Sequence, residues 1–137
     1  MVCAMKPVAI LIVQHDFLAA ERLRLLLGEA GYRIVGVAGE TRGAAALADE
    51  HHPDLAIIDM MLEMDVDGVR TATELARRYA MKILITTGFP DSIIQAEGVA
   101  DLACAVVRKP YTDDELLAGL ARCLAERQQR DPPAVRS

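Results

Sequence analysis

Cysteine is scarce in this chain. Cys3, Cys104 and Cys123 are odd in number and far apart, with no pairing or zinc spacing. Long apolar runs are missing too, and none approaches the roughly 20 residues that cross a bilayer. The longest near the start, Val8 to Val13, is too short for a signal-peptide core. Positive charge is not in excess. Fifteen Lys and Arg stand against twenty Asp and Glu, a net charge of −5, which argues against non-specific nucleic-acid binding. No internal repeat is visible. These absences lead to the expectation of a soluble, cytoplasmic, reduced protein with no membrane or nucleic-acid partner.

What is present suits one domain. The 137 residues are 53% hydrophobic and 26% charged, a balance that excludes wholesale disorder and coiled-coil rods. A chain this long buries roughly two-thirds of its unfolded surface, so it folds without needing disulfides or metal.

Short apolar runs alternate with amphipathic stretches. Val8-Ala-Ile-Leu-Ile-Val13 reads as a strand buried on both faces. A helix follows from about Phe17 to Ala30, with Asp16 as N-cap and Gly31 as the C′ residue. Its leucines at 23, 26 and 27 share one stripe, and Leu18 lies close to it. Arg33 to Ala38 is a second strand, and Thr41 caps a helix to about Glu50. Leu55 to Ile58 is a third strand, and a helix spans roughly Val69 to Tyr79. Lys82 to Thr86 is the fourth strand, followed by a short helix over about Asp91 to Glu97. Cys104 to Val107 is the fifth strand, and Thr112 starts a last helix reaching about Arg127.

Five strand-then-helix units with short connections imply a parallel sheet, because parallel strands need crossover helices. The fold class expected is therefore α/β, a doubly wound five-stranded sheet with helices on both faces. In such sheets ligands sit at the carboxyl ends of the strands. The residues found there are Gln14, His15 and Asp16 after strand one, Asp59 after strand three, Thr87 and Gly88 after strand four, and Arg108, Lys109 and Pro110 after strand five. An acid, a hydroxyl and an ammonium thus converge on one rim. Singly, each has a bland reading as a cap, a turn former or a solvated charge. Their conjunction in this order is the signal.

With these residues in view, the chain resembles the response-regulator receiver domains of two-component signalling. The segments that carry the likeness are ILIVQHDF at 10–17, PDLAIIDMML at 53–62, DG at 67–68, ILITTG at 83–88 and VVRKPYTDDEL at 106–116. The resemblance implies strand order 2-1-3-4-5 and a receiver domain over 7–126, leaving 1–6 as an N-terminal extension, while 127–137, polar with a Pro-Pro pair, reads as a flexible tail. It implies that Asp59 is the phosphoacceptor, that Thr87 hydrogen-bonds a phosphoryl oxygen and that Lys109 pairs with the phosphoryl group. It further implies a cis peptide at Lys109-Pro110 and a Mg²⁺ ion held by Asp59 and the backbone carbonyl of Met61. Phosphoryl transfer asks the protein mainly for positioning and charge neutralisation, and a carboxylate supplies an oxygen nucleophile.

The chain departs from that pattern where two acids usually follow strand one. Gln14 and His15 occupy those places, and Asp16 comes one later. Gln14 could reach a metal-bound water, and either Asp16 or His15 would have to complete the ion's shell. Histidine suits Mg²⁺ poorly, because hard cations prefer oxygen. The loop after Asp59 lacks the usual proline, with Glu63 near that place. Val106 stands where receivers often have a rotating aromatic switch. Met61 and Phe89 stand at the positions that tune phosphoryl lifetime, and neither side chain can orient water, so slow self-dephosphorylation is expected.

The expected function is a stand-alone response regulator, a signalling domain rather than an enzyme. It would take a phosphoryl group from a histidine kinase or histidine phosphotransferase. A changed surface on the fourth helix, fifth strand and last helix would then engage a downstream effector or a second copy in a homodimer. The competing expectation is a degenerate receiver that binds a partner without phosphorylation. A flavin or dinucleotide binder is disfavoured, since no glycine-rich loop follows strand one.

Overall fold

In the computed structural model, which describes residues 7–61 and 67–130, each of the five apolar runs read as strands becomes a strand of one sheet. The elements are β1 (Ala9–Val13), α1 (Phe17–Glu29), β2 (Arg33–Ala38), α2 (Thr41–His51), β3 (Leu55–Asp59), α3 (Asp67–Tyr79), β4 (Lys82–Thr87), α4 (Asp91–Ala96), α5 (Val99–Leu102), β5 (Ala105–Arg108) and α6 (Asp113–Arg130). The sheet has five strands in the order β2-β1-β3-β4-β5. All four pairings are parallel. This is the doubly wound fold and strand order that the sequence led us to expect.

Alternate side chains of each strand feed two cores. On one face Leu11, Val13, Ile58 and Ile85 pack with Ala44 and Ala48 of α2, Leu75 of α3, Ile94 of α4 and Val99 of α5. On the other, Ile10, Ile12, Ile57 and Leu84 pack with Leu23 and Leu27 of α1 and with Leu116 and Leu120 of α6. Central strands covered on both faces read as uninterrupted apolar sequence, and all of β1 and β3 is buried.

Local chemistry sets the helix ends. Asp16 Oδ1 accepts from the backbone N–H groups of Leu18 and Ala19 at 2.9 and 3.2 Å, capping α1. Gly31 follows with φ +98°, a conformation that glycine adopts without steric penalty. At α6, Thr112 Oγ1 accepts from Glu115 N while Glu115 Oε1 accepts from Thr112 N, at 3.1 and 2.8 Å. That reciprocal pair is a capping box. Gly68 brings the first turn of α3 onto the end of β3. A methyl group there would collide with the backbone carbonyl of Asp59.

Four expectations need correction. Glu40, not Thr41, caps α2: its Oε1 accepts from Arg42 N and Gly43 N at 2.8 and 3.2 Å. The extended backbone at Glu40 lets its longer side chain fold back, while Thr41 Oγ1 lies 2.5 Å from Thr71 Oγ1. Leu18 is 75% exposed and does not join the core stripe of α1. A further short helix, α5, precedes β5. Most consequentially, Cys104 and Cys123 pair as a disulfide, with Cα atoms 5.1 Å apart. Their 19-residue separation carries no spacing signal; the contact arises because α6 folds back over β5.

Cys3 and Glu63 lie outside the described residues. So do positions 1–6 and 131–137 of the extension and tail, whereas 127–130 continue α6. No described helix is long and apolar enough to cross a membrane.

Candidate functional site

The carboxyl ends of β3, β4 and β5 lie side by side, and each delivers one chemically distinct group. Asp59 is the last residue of β3 and only 6% exposed. Its Oδ2 accepts from Lys109 Nζ at 2.9 Å. Its Oδ1 lies at the long distance of 3.4 Å from Met61 N, which donates to it. Thr87 ends β4 and is buried. Its Oγ1 accepts from Phe89 N at 2.9 Å, which leaves the hydroxyl proton available as a donor. Lys109 N donates to Thr87 O at 2.8 Å, fixing the residue after β5 against the end of β4. The Lys109-Pro110 peptide bond is cis.

Asp59, Met61, Gly88, Phe89 and Lys109 line a cavity of about 300 Å³ over this rim. At about 30 Å³ per water molecule, it holds a small oxyanion with several waters. Met61 is 46% exposed at its mouth. Val106 sits one strand over, half-buried against the core, with no ring to rotate.

The loop after β1 is arranged differently from an acidic pair. Gln14 is buried, and its Oε1 accepts from Asp16 N at 3.0 Å. Asp16 is engaged as the α1 cap. His15 is exposed. Among the described residues no three His, Cys, Asp or Glu side chains cluster as metal ligands do. A Mg²⁺ shell needs oxygens that converge on one point. Asp59 and the Met61 carbonyl offer oxygens at this rim, while Gln14 Oε1 and Asp16 Oδ1 each accept a local backbone hydrogen bond.

Tyr111, which the strand and motif pattern does not single out, belongs to the same neighbourhood. Burial raises its phenol above the ordinary range, the Arg22 guanidinium lowers it, and the Asp59 and Asp113 carboxylates raise it further. The available signal was an aromatic residue directly after Lys109-Pro110. Arg108, the exposed end of β5, pairs with Asp91 of α4 and ties together two elements of one face.

Known proteins share this fold. A curated relative, the transcriptional regulatory protein PdtaR of Mycobacterium tuberculosis, is 32% identical over 114 residues. The match covers 83% of this chain and 55% of the relative, so the chain spans about half of that protein's length. Among solved structures, the signal receiver domain of a modulated diguanylate cyclase from Desulfovibrio desulfuricans G20 superposes with a TM-score of 0.82 at 28% identity. That match covers 92% of this chain and all of the other. A response regulator from Chloroflexus aurantiacus J-10-fl gives 0.77 at 28% identity, covering 88% of this chain and 99% of the other. The family model for the response regulator receiver domain matches residues 10–121, and the chain belongs to that family.

Proposed function

We propose that this domain accepts a phosphoryl group on Asp59 and signals through a changed protein-binding surface. The observation that carries this reading is the buried Asp59 carboxylate held 2.9 Å from the Lys109 ammonium beside a small open cavity. The donor is the phosphohistidine of a histidine kinase or histidine phosphotransferase. An Asp59 carboxylate oxygen attacks phosphorus in line, a P–O bond forms and the P–N bond to the imidazole breaks. The imidazole leaves with a proton, and Asp59 becomes an acyl phosphate. Lys109 neutralises the charge gathered on the phosphoryl oxygens, and the Thr87 hydroxyl proton is a donor to one of them.

No step in this scheme is routed through a metal ion. Met61 and Phe89 cover the cavity with apolar surface, so the acyl phosphate hydrolyses slowly. The added charge shifts a two-state equilibrium on the face formed by α4, β5 and α6. That face engages a downstream effector or a second copy of the domain. The protein acts in the cytoplasm as a signalling domain rather than as an enzyme on a separate substrate.

A second reading has its own observation in favour. Gln14 Oε1 accepts from Asp16 N and Asp16 Oδ1 accepts from Leu18 N, so both oxygens are engaged within the loop and α1. A receiver that binds its partner without phosphorylation would look the same at this loop.

Treatment with phosphoramidate followed by borohydride reduction separates the two. Reduction of an acyl phosphate at Asp59 leaves homoserine at that position in the tryptic peptide 43–70. The absence of homoserine supports the second reading, and homoserine at another position would overturn both.

A further inference from the structure

Cys104 and Cys123 lie far from the phosphoacceptor rim. Cys104 precedes the first residue of β5, whereas Lys109 follows its last, so the two sites occupy opposite ends of the same strand. The two sulfurs differ in access. Cys123 is fully buried in the core beneath α6, while Cys104 is half-buried. Cys104 also lines an open groove of about 310 Å³ with Ala80, Met81, Lys82, Ile83 and Asp101. The backbone carbonyl of Ile83 is 3.1 Å from Cys104 Sγ and 3.9 Å from Cys123 Sγ. It can accept a hydrogen bond from the nearer thiol when the pair is reduced. The groove admits a small oxidant to Cys104 alone.

We propose that Cys104 and Cys123 form a reversible oxidation site for hydroperoxides, with Cys104 as the attacking thiol and Cys123 as the resolving one. The Cys104 thiolate attacks a peroxide oxygen, the O–O bond breaks and an alcohol or water leaves. Cys104 becomes a sulfenic acid. The sulfur of Cys123 then displaces the sulfenic hydroxyl, which departs as water with the Cys123 proton. In total, two thiols give two electrons to one peroxide and become one disulfide. A dithiol reductant returns both electrons. In the cytoplasm such disulfides are characteristically transient. This one ties the base of β5 to the middle of α6, two of the three elements of the proposed output face. It does not depend on phosphorylation of Asp59.

The test uses the full-length protein, reduced with dithiothreitol, desalted, exposed to hydrogen peroxide and blocked with iodoacetamide. Trypsin digestion without reduction should give residues 83–108 linked to residues 123–127. The linked peptide should vanish when dithiothreitol is added to the native protein. In Cys123→Ala, dimedone should label Cys104, and in Cys104→Ala it should leave Cys123 unlabelled. The wild-type peptide map decides the question even where a core variant fails to fold. Recovery of both cysteines as alkylated thiols after peroxide would overturn the proposal. So would linkage of either one to Cys3, dimedone on Cys123, or a disulfide that dithiothreitol opens only in denaturant.

Discussion

Lys109 Nζ donates to Asp59 Oδ2 at 2.9 Å, closing a contact between residues 50 apart in sequence. The Asp59 side chain is 7% exposed and the Lys109 side chain 36%, and both line the cavity. Replacing the lysine leaves a nearly buried carboxylate without its cation. Lys109→Met should slow phosphoryl incorporation by at least about tenfold, roughly 1.4 kcal/mol of transition-state stabilisation. Stability should fall by about 1 kcal/mol, less than a fully buried charged hydrogen bond because the ammonium meets water. Lys109→Arg should not restore the rate, since a planar fork does not replace a compact point charge. Timed phosphorylation and urea denaturation measure the two effects.

Asp16 caps α1 and is not expected to hold a metal. Asp16→Ala should therefore lower stability by about 1 kcal/mol, the usual loss for an N-cap, and leave the response to Mg²⁺ unchanged. Mg²⁺ binding to the unmodified protein should be about millimolar or weaker, as expected where few charged oxygens converge. Isothermal titration with Mg²⁺ on both proteins checks this. Tight binding that Asp16→Ala abolishes would make Asp16 a ligand.

Met61 and Phe89 line the cavity with Asp59 and offer an attacking water no hydrogen-bond partner. The acyl phosphate should last minutes or longer once the donor is removed. Met61→Asn should shorten that lifetime about tenfold or more by holding a water in place. The decay of phosphoprotein on a phosphate-affinity gel reads both. A wild-type lifetime of seconds would contradict the assignment.

Tyr111 gives a pH signature. Burial, the largest influence, raises its phenol above the ordinary value of about 10. The folded state thus holds the proton more tightly than the unfolded chain. The resulting stability is fully present below pH 10 or so and is lost as pH rises through the folded-state value. Tyr111→Phe should flatten the decline in stability above about pH 10 and change nothing between pH 7 and 9. Denaturant midpoints across that range provide the comparison.

The legible parts of this molecule share a physical reason. β1 and β3 are covered on both faces, so burial writes them as unbroken apolar runs. In an all-parallel sheet every strand ends on the same side, which is why the strand pattern alone places Asp59, Thr87 and Lys109 on one rim. The missed features depend on tertiary detail that period and spacing do not encode. Cys104 meets Cys123 only because α6 returns across β5. Glu40 takes the cap from Thr41 through its backbone angle. Leu18 lies near the apolar stripe of α1 yet faces solvent, as does Phe17 beside it. The need for Gly68 comes from one close approach to the Asp59 carbonyl.

The central claim is that Asp59 receives the phosphoryl group. Intact-mass spectrometry after incubation with acetyl phosphate tests it most directly, using the unmodified protein and Asp59→Asn with and without Mg²⁺. A single phosphoryl adduct is expected on the unmodified protein, with none on Asp59→Asn and only a weak dependence on Mg²⁺. An adduct that survives Asp59→Asn, or none under any condition, would contradict it.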